Sequence, residues 1–143
     1  MAQGSKLGSP TRVVSTKIVV FACAASAGAH AGLVPEHLHA EPRVGIAFLV
    51  AIVVLLATGA ALTVRPDDPR IATAAAVLFA GLIVAYAASR TTGIPLLAPE
   101  REALDTAGVA TKVIEVAGLA LALSLSQPIG RRNRRPNLQE VSR

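Results

Sequence analysis

Four apolar stretches, each close to 20 residues and none broken by proline, constrain this chain more than any other feature of its sequence. Backbone amides in hydrocarbon find no water, so a segment of about 20 apolar residues crosses a bilayer as a helix that satisfies its own hydrogen bonds. The stretches run from Val13 to Leu33, Val44 to Val64, Ile71 to Ser89 and Thr106 to Gln127. They predict an all-α, integral membrane four-helix bundle over 13–127, preceded by an arm at 1–12 and followed by a basic tail at 128–143. A mean hydropathy of +0.55 with 16% charged residues excludes an ordinary water-soluble domain.

The charges between the stretches set the orientation, because lysine and arginine are retained on the cytoplasmic side. Lys6, Arg12 and Lys17, then Arg65 and Arg70, then Arg131, Arg132, Arg134, Arg135 and Arg143 place ten cations at one end, against Arg43, Arg90 and Arg101 at the other. Both termini are therefore expected in the cytoplasm, in a bacterial inner membrane. Arginine outnumbers lysine eleven to three, a bias typical of a GC-rich bacterial genome. Lys6, Arg12 and Lys17 ahead of an apolar core that ends in Ala29-His30-Ala31 also fit a secretory signal peptide. A lipobox at Val20-Phe21-Ala22-Cys23 fits less well, since Phe21 is bulky. Neither alternative changes the remaining topology.

The connections differ in length. Arg65-Pro66-Asp67-Asp68-Pro69-Arg70 predicts a tight turn with Asp68 as a helix N-cap and Pro69 at the first helical position, where its missing N–H is harmless. Outside, 32–43 and 90–105 read as longer loops, and Glu100-Arg101-Glu102-Ala103-Leu104 reads as a short interfacial helix. Small residues recur every four positions at Ala24, Gly28 and Gly32 and at Gly81, Ala85 and Ser89, the spacing of a close helix-packing seam or of a dimer interface. Cys23 is the only cysteine, which rules out an internal disulfide and leaves a packing role.

Ionisable residues inside the stretches reduce to His30, Lys112 and Glu115, all towards the outer side. If the fourth span starts near Thr106, Lys112 and Glu115 lie about 9 to 14 Å in, at 1.5 Å per residue. Charges at such depth cost about 2.5 to 3.5 kcal/mol on insertion scales and are candidates for function. Asp105, Gly108, Lys112 and Glu115 share a helical face that Leu119, Ala122 and Ser126 continue, and that face should point into the bundle. A purely structural pairing of Lys112 with Glu115 at i,i+3 is the competing reading.

All three histidines and two of the six glutamates fall between His30 and Arg43. Imidazole and carboxylate suit Zn²⁺ or Cu²⁺ where three or four donors converge. The candidate ligands are His30, Glu36, His37, His39, Glu41 and Glu115, with Arg90 and Lys112 as cofactor-binding candidates; Arg90 would anchor Glu36, Glu41 or Glu115, an anionic ligand or a headgroup, or would simply anchor the helix end at the interface. A short helix starting at Pro35 would set His37 and Glu41 on one face, and a solvated, pH-sensitive loop is the alternative.

The set formed by His30, Pro35-Glu36-His37, Glu41, Gly45, Ser89-Arg90-Thr91-Thr92-Gly93-Ile94-Pro95 and Glu115 resembles small four-helix membrane proteins of actinobacteria, over most of 29–127. The resemblance implies the topology and singles out these residues without implying an activity. Gly130-Arg131-Arg132-Asn133-Arg134-Arg135 reads as an orientation-fixing cluster at an anionic leaflet. With no aromatic side chains beside these arginines, nucleic acid is not an expected partner. No phosphate loop, nucleophile elbow, CxxC or Glu-x-x-His motif occurs, so an enzyme is not favoured. The expectation is a membrane protein with an outward polar pocket for a transition metal or small ligand. The alternative is a non-catalytic accessory or scaffold subunit that docks a larger membrane protein or a second copy of itself.

Overall fold

Proline at a helix start loses nothing, because the first N–H groups of a helix have no internal acceptor. The computed structural model, which describes residues 10–94 and 106–127, uses this device repeatedly. Its helices are α1 (Pro10–Ala40), α2 (Pro42–Val64), α3 (Pro69–Thr91) and α4 (Thr106–Ser126). All four are long and apolar enough to cross a membrane. The shortest, α4, has 21 residues, which at 1.5 Å per residue gives about 32 Å, close to the hydrocarbon thickness of a bilayer.

The turn between α2 and α3 forms as its sequence predicts. The Asp68 carboxylate accepts from the Arg70 N–H at 2.9 Å, with Pro69 opening the helix. The connection between α1 and α2 does not. The expected loop at 32–43 is helical to Ala40, with Pro35 inside α1, and only Glu41 separates the two helices. An interior proline removes one backbone hydrogen bond and costs about 3 kcal/mol, so the last turn of α1 needs support from elsewhere. That support comes from α2. A Cβ at Gly45 would lie 2.7 Å from the Leu38 side chain and 2.8 Å from the Leu38 N, so glycine alone lets α2 approach so closely. Glu41 N–H donates to the His37 carbonyl at 2.8 Å, and the Glu41 carbonyl accepts from Val44 N–H at 2.9 Å. The hairpin is thus joined without slack.

α1 packs against α2 and α4, α4 packs against α3, and α2 meets α3 more sparsely than these. Phe79 of α3, wholly buried, fills the middle with Leu55, Leu62, Val19 and several alanines. Cys23 is buried beside Gly59, whose Cβ position would be 3.4 Å from the Cys23 Cβ. Near the start of α1, Arg12 ties that helix to the α2–α3 turn and to α4. Its Nε donates to Asp67 Oδ1 at 3.3 Å and its Nη2 donates to the Leu125 carbonyl at 3.1 Å. Around the bundle, Phe21, Val53, Val64, Val77, Val84 and Val113 are exposed, an apolar exterior that suits lipid and would be a liability in water.

The small-residue stripes are not the internal seam. Ala24, Gly28, Gly32 and Gly81 face outward, Ala85 lines a cavity and only Ser89 is buried, and a Cβ at Gly28, Gly32 or Gly81 would meet nothing within 4 Å. In an alanine-rich chain four-residue spacing alone does not mark a contact. The close approaches are made by Gly45, Gly59 and Gly118. The predicted interfacial helix at 100–104, Asp105, the arm at 1–9 and the basic tail at 128–143 lie outside the described residues.

At Gly118 a Cβ would lie 2.8 Å from the Phe79 ring and 3.1 Å from the Ala22 Cβ. Gly118→Ala should therefore lower stability by about 1 to 3 kcal/mol, as overpacking does. Gly28→Ala should leave it unchanged or raised, because helical glycine costs up to about 1 kcal/mol. Thermal unfolding in detergent checks both, and equal losses would contradict the assigned packing.

Candidate functional site

A buried carboxylate requires partners for both oxygens, and Glu115 has them. It has no exposed surface. Ser26 Oγ of α1 donates to Oε1 at 2.7 Å, and Lys112 Nζ, one turn earlier on α4, donates to Oε2 at 2.5 Å. The sequence places Lys112 and Glu115 on one face of α4, and the structure turns that face inward, with Gly118, Ala122 and Leu125 buried below. Ser26 was not legible as a partner, although it stands one turn before His30 in an otherwise apolar stretch.

The histidines are tied to their own helix. His30 Nδ1 is 2.8 Å from the Ser26 carbonyl, His37 Nδ1 is 2.9 Å from the Leu33 carbonyl, and His39 Nδ1 is 2.7 Å from the Pro35 carbonyl. A carbonyl only accepts, so each Nδ1 donates a proton to it. His30 and His37 lie two turns apart on one face of α1 and both set their rings edge-on to Phe48, at centroid distances of 5.3 and 4.9 Å. His39, two residues on from His37, belongs to a different face and is exposed.

Beside these rings is a cavity of about 530 Å³, within the size range of small-molecule sites. It lies at the end of the bundle where α1 and α3 finish and α2 and α4 begin. Its polar lining includes His30, Glu36, His37, Tyr86, Arg90 and Lys112, with the hydroxyl residues Ser89 and Thr111, and α2 contributes only Val44, Ala47, Phe48 and Ala51. Tyr86 organises the cations: the Arg90 guanidinium lies 4.8 Å and Lys112 Nζ 5.2 Å from its ring centroid. Such contacts are worth about 0.5 to 2 kcal/mol, more where water is excluded. The Tyr86 hydroxyl is buried and has no hydrogen-bond partner among the described residues. It is the only tyrosine of a chain without tryptophan, a signal in the composition that could have marked it.

Of the predicted site residues, the structure brings His30, Glu36, His37, Arg90 and Lys112 to one cavity. Glu115 sits behind Lys112, outside the lining, and Glu41 sits at the helix joint with Oε2 buried and without a hydrogen-bond partner among the described residues. Among the described residues, no group of three or more His, Cys, Asp or Glu is placed to hold a metal ion. The arrangement sets cationic and imidazole side chains among largely apolar walls. In comparisons with known proteins, no family model, no curated protein and no solved structure matches this chain.

The ion pair is unequal, with Lys112 16% exposed and Glu115 not at all. Lys112→Met should cost about 3 to 5 kcal/mol by stranding a buried carboxylate. Glu115→Gln should cost less, because the ammonium can turn towards the cavity. Unfolding midpoints in detergent decide the order, and the reverse order would contradict this account.

Proposed function

We propose that the protein is a multi-pass bacterial inner-membrane protein, with both termini in the cytoplasm, that binds a small ligand in this cavity from the outer half of the bilayer. It has no catalytic residues; its role is to hold the ligand. The observation that carries this reading is the pair of cations over Tyr86 inside an apolar-walled cavity. Charged side chains at membrane depth are expensive, and Arg90 and Lys112 share the cavity while Lys112 also holds Glu115, which gives the walls N–H donors suited to a hydrogen-bond-accepting group. Arg90 and Lys112 would contact that group, with His30 and His37 as hydrogen-bond partners.

A divalent metal is the less supported form of the same reading. His30 and His37 lie on one face of α1, and among the described residues no three donors of the kind that Zn²⁺ or Cu²⁺ needs converge. An accessory subunit is the second reading, favoured by the outward position of Ala24, Gly28 and Gly32, which face no other helix of the bundle.

Since Tyr86 is the only tyrosine and no tryptophan competes, its emission reports the cavity alone. Sodium hexanoate titrated into protein purified in mild detergent without a metal-affinity tag should change that emission saturably. Arg90→Gln should weaken the response at least tenfold. No saturable change would overturn the cavity reading. Near-stoichiometric Zn or Cu by elemental analysis, lost in His37→Ala/His39→Ala, would replace it with the metal form. Another membrane protein that co-purifies with the wild type and is lost in Gly28→Leu would replace it with the accessory reading.

A further inference from the structure

The charges around the cavity balance. Its lining carries two cations, Arg90 and Lys112, and one carboxylate, Glu36, and Glu115 behind Lys112 supplies a second carboxylate. None of the four needs a counter-ion from a ligand. Lys112 holds Glu115, Arg90 is engaged by the Tyr86 ring and by a further contact of its own, and Glu36 is exposed. A charged ligand would bring to these largely apolar walls a charge that nothing there offsets, and burying an unpaired ion is costly. The walls also differ in polarity. α2 and α4 stand across the bundle from each other; α2 lines the cavity with apolar side chains alone, Phe48 and Ala51 among them, whereas α4 contributes Lys112. The nearby hydroxyl protons are already used, Thr111 donating to the Ala107 carbonyl at 2.8 Å and Ser89 to the Tyr86 carbonyl at 2.9 Å. An ammonium has three N–H groups. Glu115 Oε2 takes one and the Tyr86 ring lies 5.2 Å from Nζ, so at least one remains on a side chain that lines the cavity and is partly exposed.

Resting on the ligand-binding reading above, we infer that the ligand is an uncharged, largely apolar ring compound bearing a carbonyl oxygen, which accepts from Lys112 while the ring body lies on the α2 wall. Alanines from three helices, Ala29, Ala47, Ala51 and Ala85, leave the width for such a body, and Phe48 gives it an aromatic partner. A carbonyl asks only for a donor. An alcohol would add a donor of its own, and both oxygens of Glu115 are already taken by Ser26 and Lys112. A carboxylate finds the same ammonium but brings the uncompensated charge, so it binds more weakly than a carbonyl of the same shape. A hydrocarbon of that shape leaves the Lys112 N–H unmet. Hydrogen bonds to a charged donor are the stronger kind, which makes the carbonyl worth about tenfold in affinity over the hydrocarbon.

The test uses the full chain in phosphatidylcholine nanodiscs and four probes of one shape: benzophenone, benzhydrol, diphenylmethane and diphenylacetate. Radiolabelled benzophenone retained beyond empty discs gives the signal, the other three compete for it, and all amounts are expressed as mole fraction in the bilayer. Benzophenone should saturate, with diphenylmethane and diphenylacetate competing at least tenfold more weakly and benzhydrol at least threefold more weakly than unlabelled benzophenone. Lys112→Met/Glu115→Gln removes both charges of the buried pair together. It should bring benzophenone down to the level of diphenylmethane while diphenylmethane, labelled and measured directly, stays within about twofold, which shows the cavity intact. Ala51→Phe, which fills the apolar wall, should weaken both at least fivefold. In the wild type, diphenylmethane equal to benzophenone would overturn the acceptor, benzhydrol equal to it would overturn the carbonyl, and diphenylacetate equal or tighter would overturn the uncharged ligand; each leaves the ligand cavity standing. No saturable binding of any probe, or binding that Ala51→Phe leaves unchanged, would remove the cavity reading itself.

Discussion

A carboxylate with no exposed surface sets the geometry on which the candidate site depends. Glu115 is tolerable only because α1 delivers a hydroxyl to one oxygen and α4 delivers an ammonium to the other. Satisfying it fixes the rotation of α4 about its axis and its height against α1. The same rotation carries Lys112 towards α3, where its Nζ meets the Tyr86 ring. A slip of α4 by one residue would turn this face by about 100° and bury Val116 or Ile114 in place of Glu115. The pair thus acts as a register pin, a role for which buried polar groups are well attested, and it leaves Lys112 as the member that reaches the cavity.

Helix lengths and the tight turn were readable because hydrocarbon permits so few structures. Periodicity located the inward face of α4, and Asp68 with Pro69 located the start of α3. The long α1 was not readable, because its continuation through Pro35 depends on Gly45 of another helix accepting Leu38. A local rule about proline is overridden there by tertiary packing. The conformation of the histidine segment was hidden for the same reason. Residues adjacent in sequence read as one loop, whereas the helix to Ala40 sends His37 and His39 to different faces.

The small-residue pattern teaches a related lesson. Glycine permits close packing but does not cause it, and what distinguishes Gly118 from Gly28 is the presence of Phe79 opposite. The site itself was half legible. Charged residues at membrane depth were conspicuous, since each needs a reason to be there. Tyr86, Phe48 and Ser26 were hidden among apolar neighbours, because their contribution lies in contacts with α1 and α4 that no local window contains.

The one-residue joint at Glu41 has a mechanical consequence. With α1 and α2 fastened together by Leu38, Gly45 and the backbone bonds of Glu41, that hairpin behaves as a single stiff arm at the cavity end. At the far end, Arg12 clasps the α2–α3 turn and the finish of α4. Any parting of α2 from α3 therefore has its fulcrum near residues 65–68 and its widest travel beside Phe48 and Arg90, in the manner of tongs.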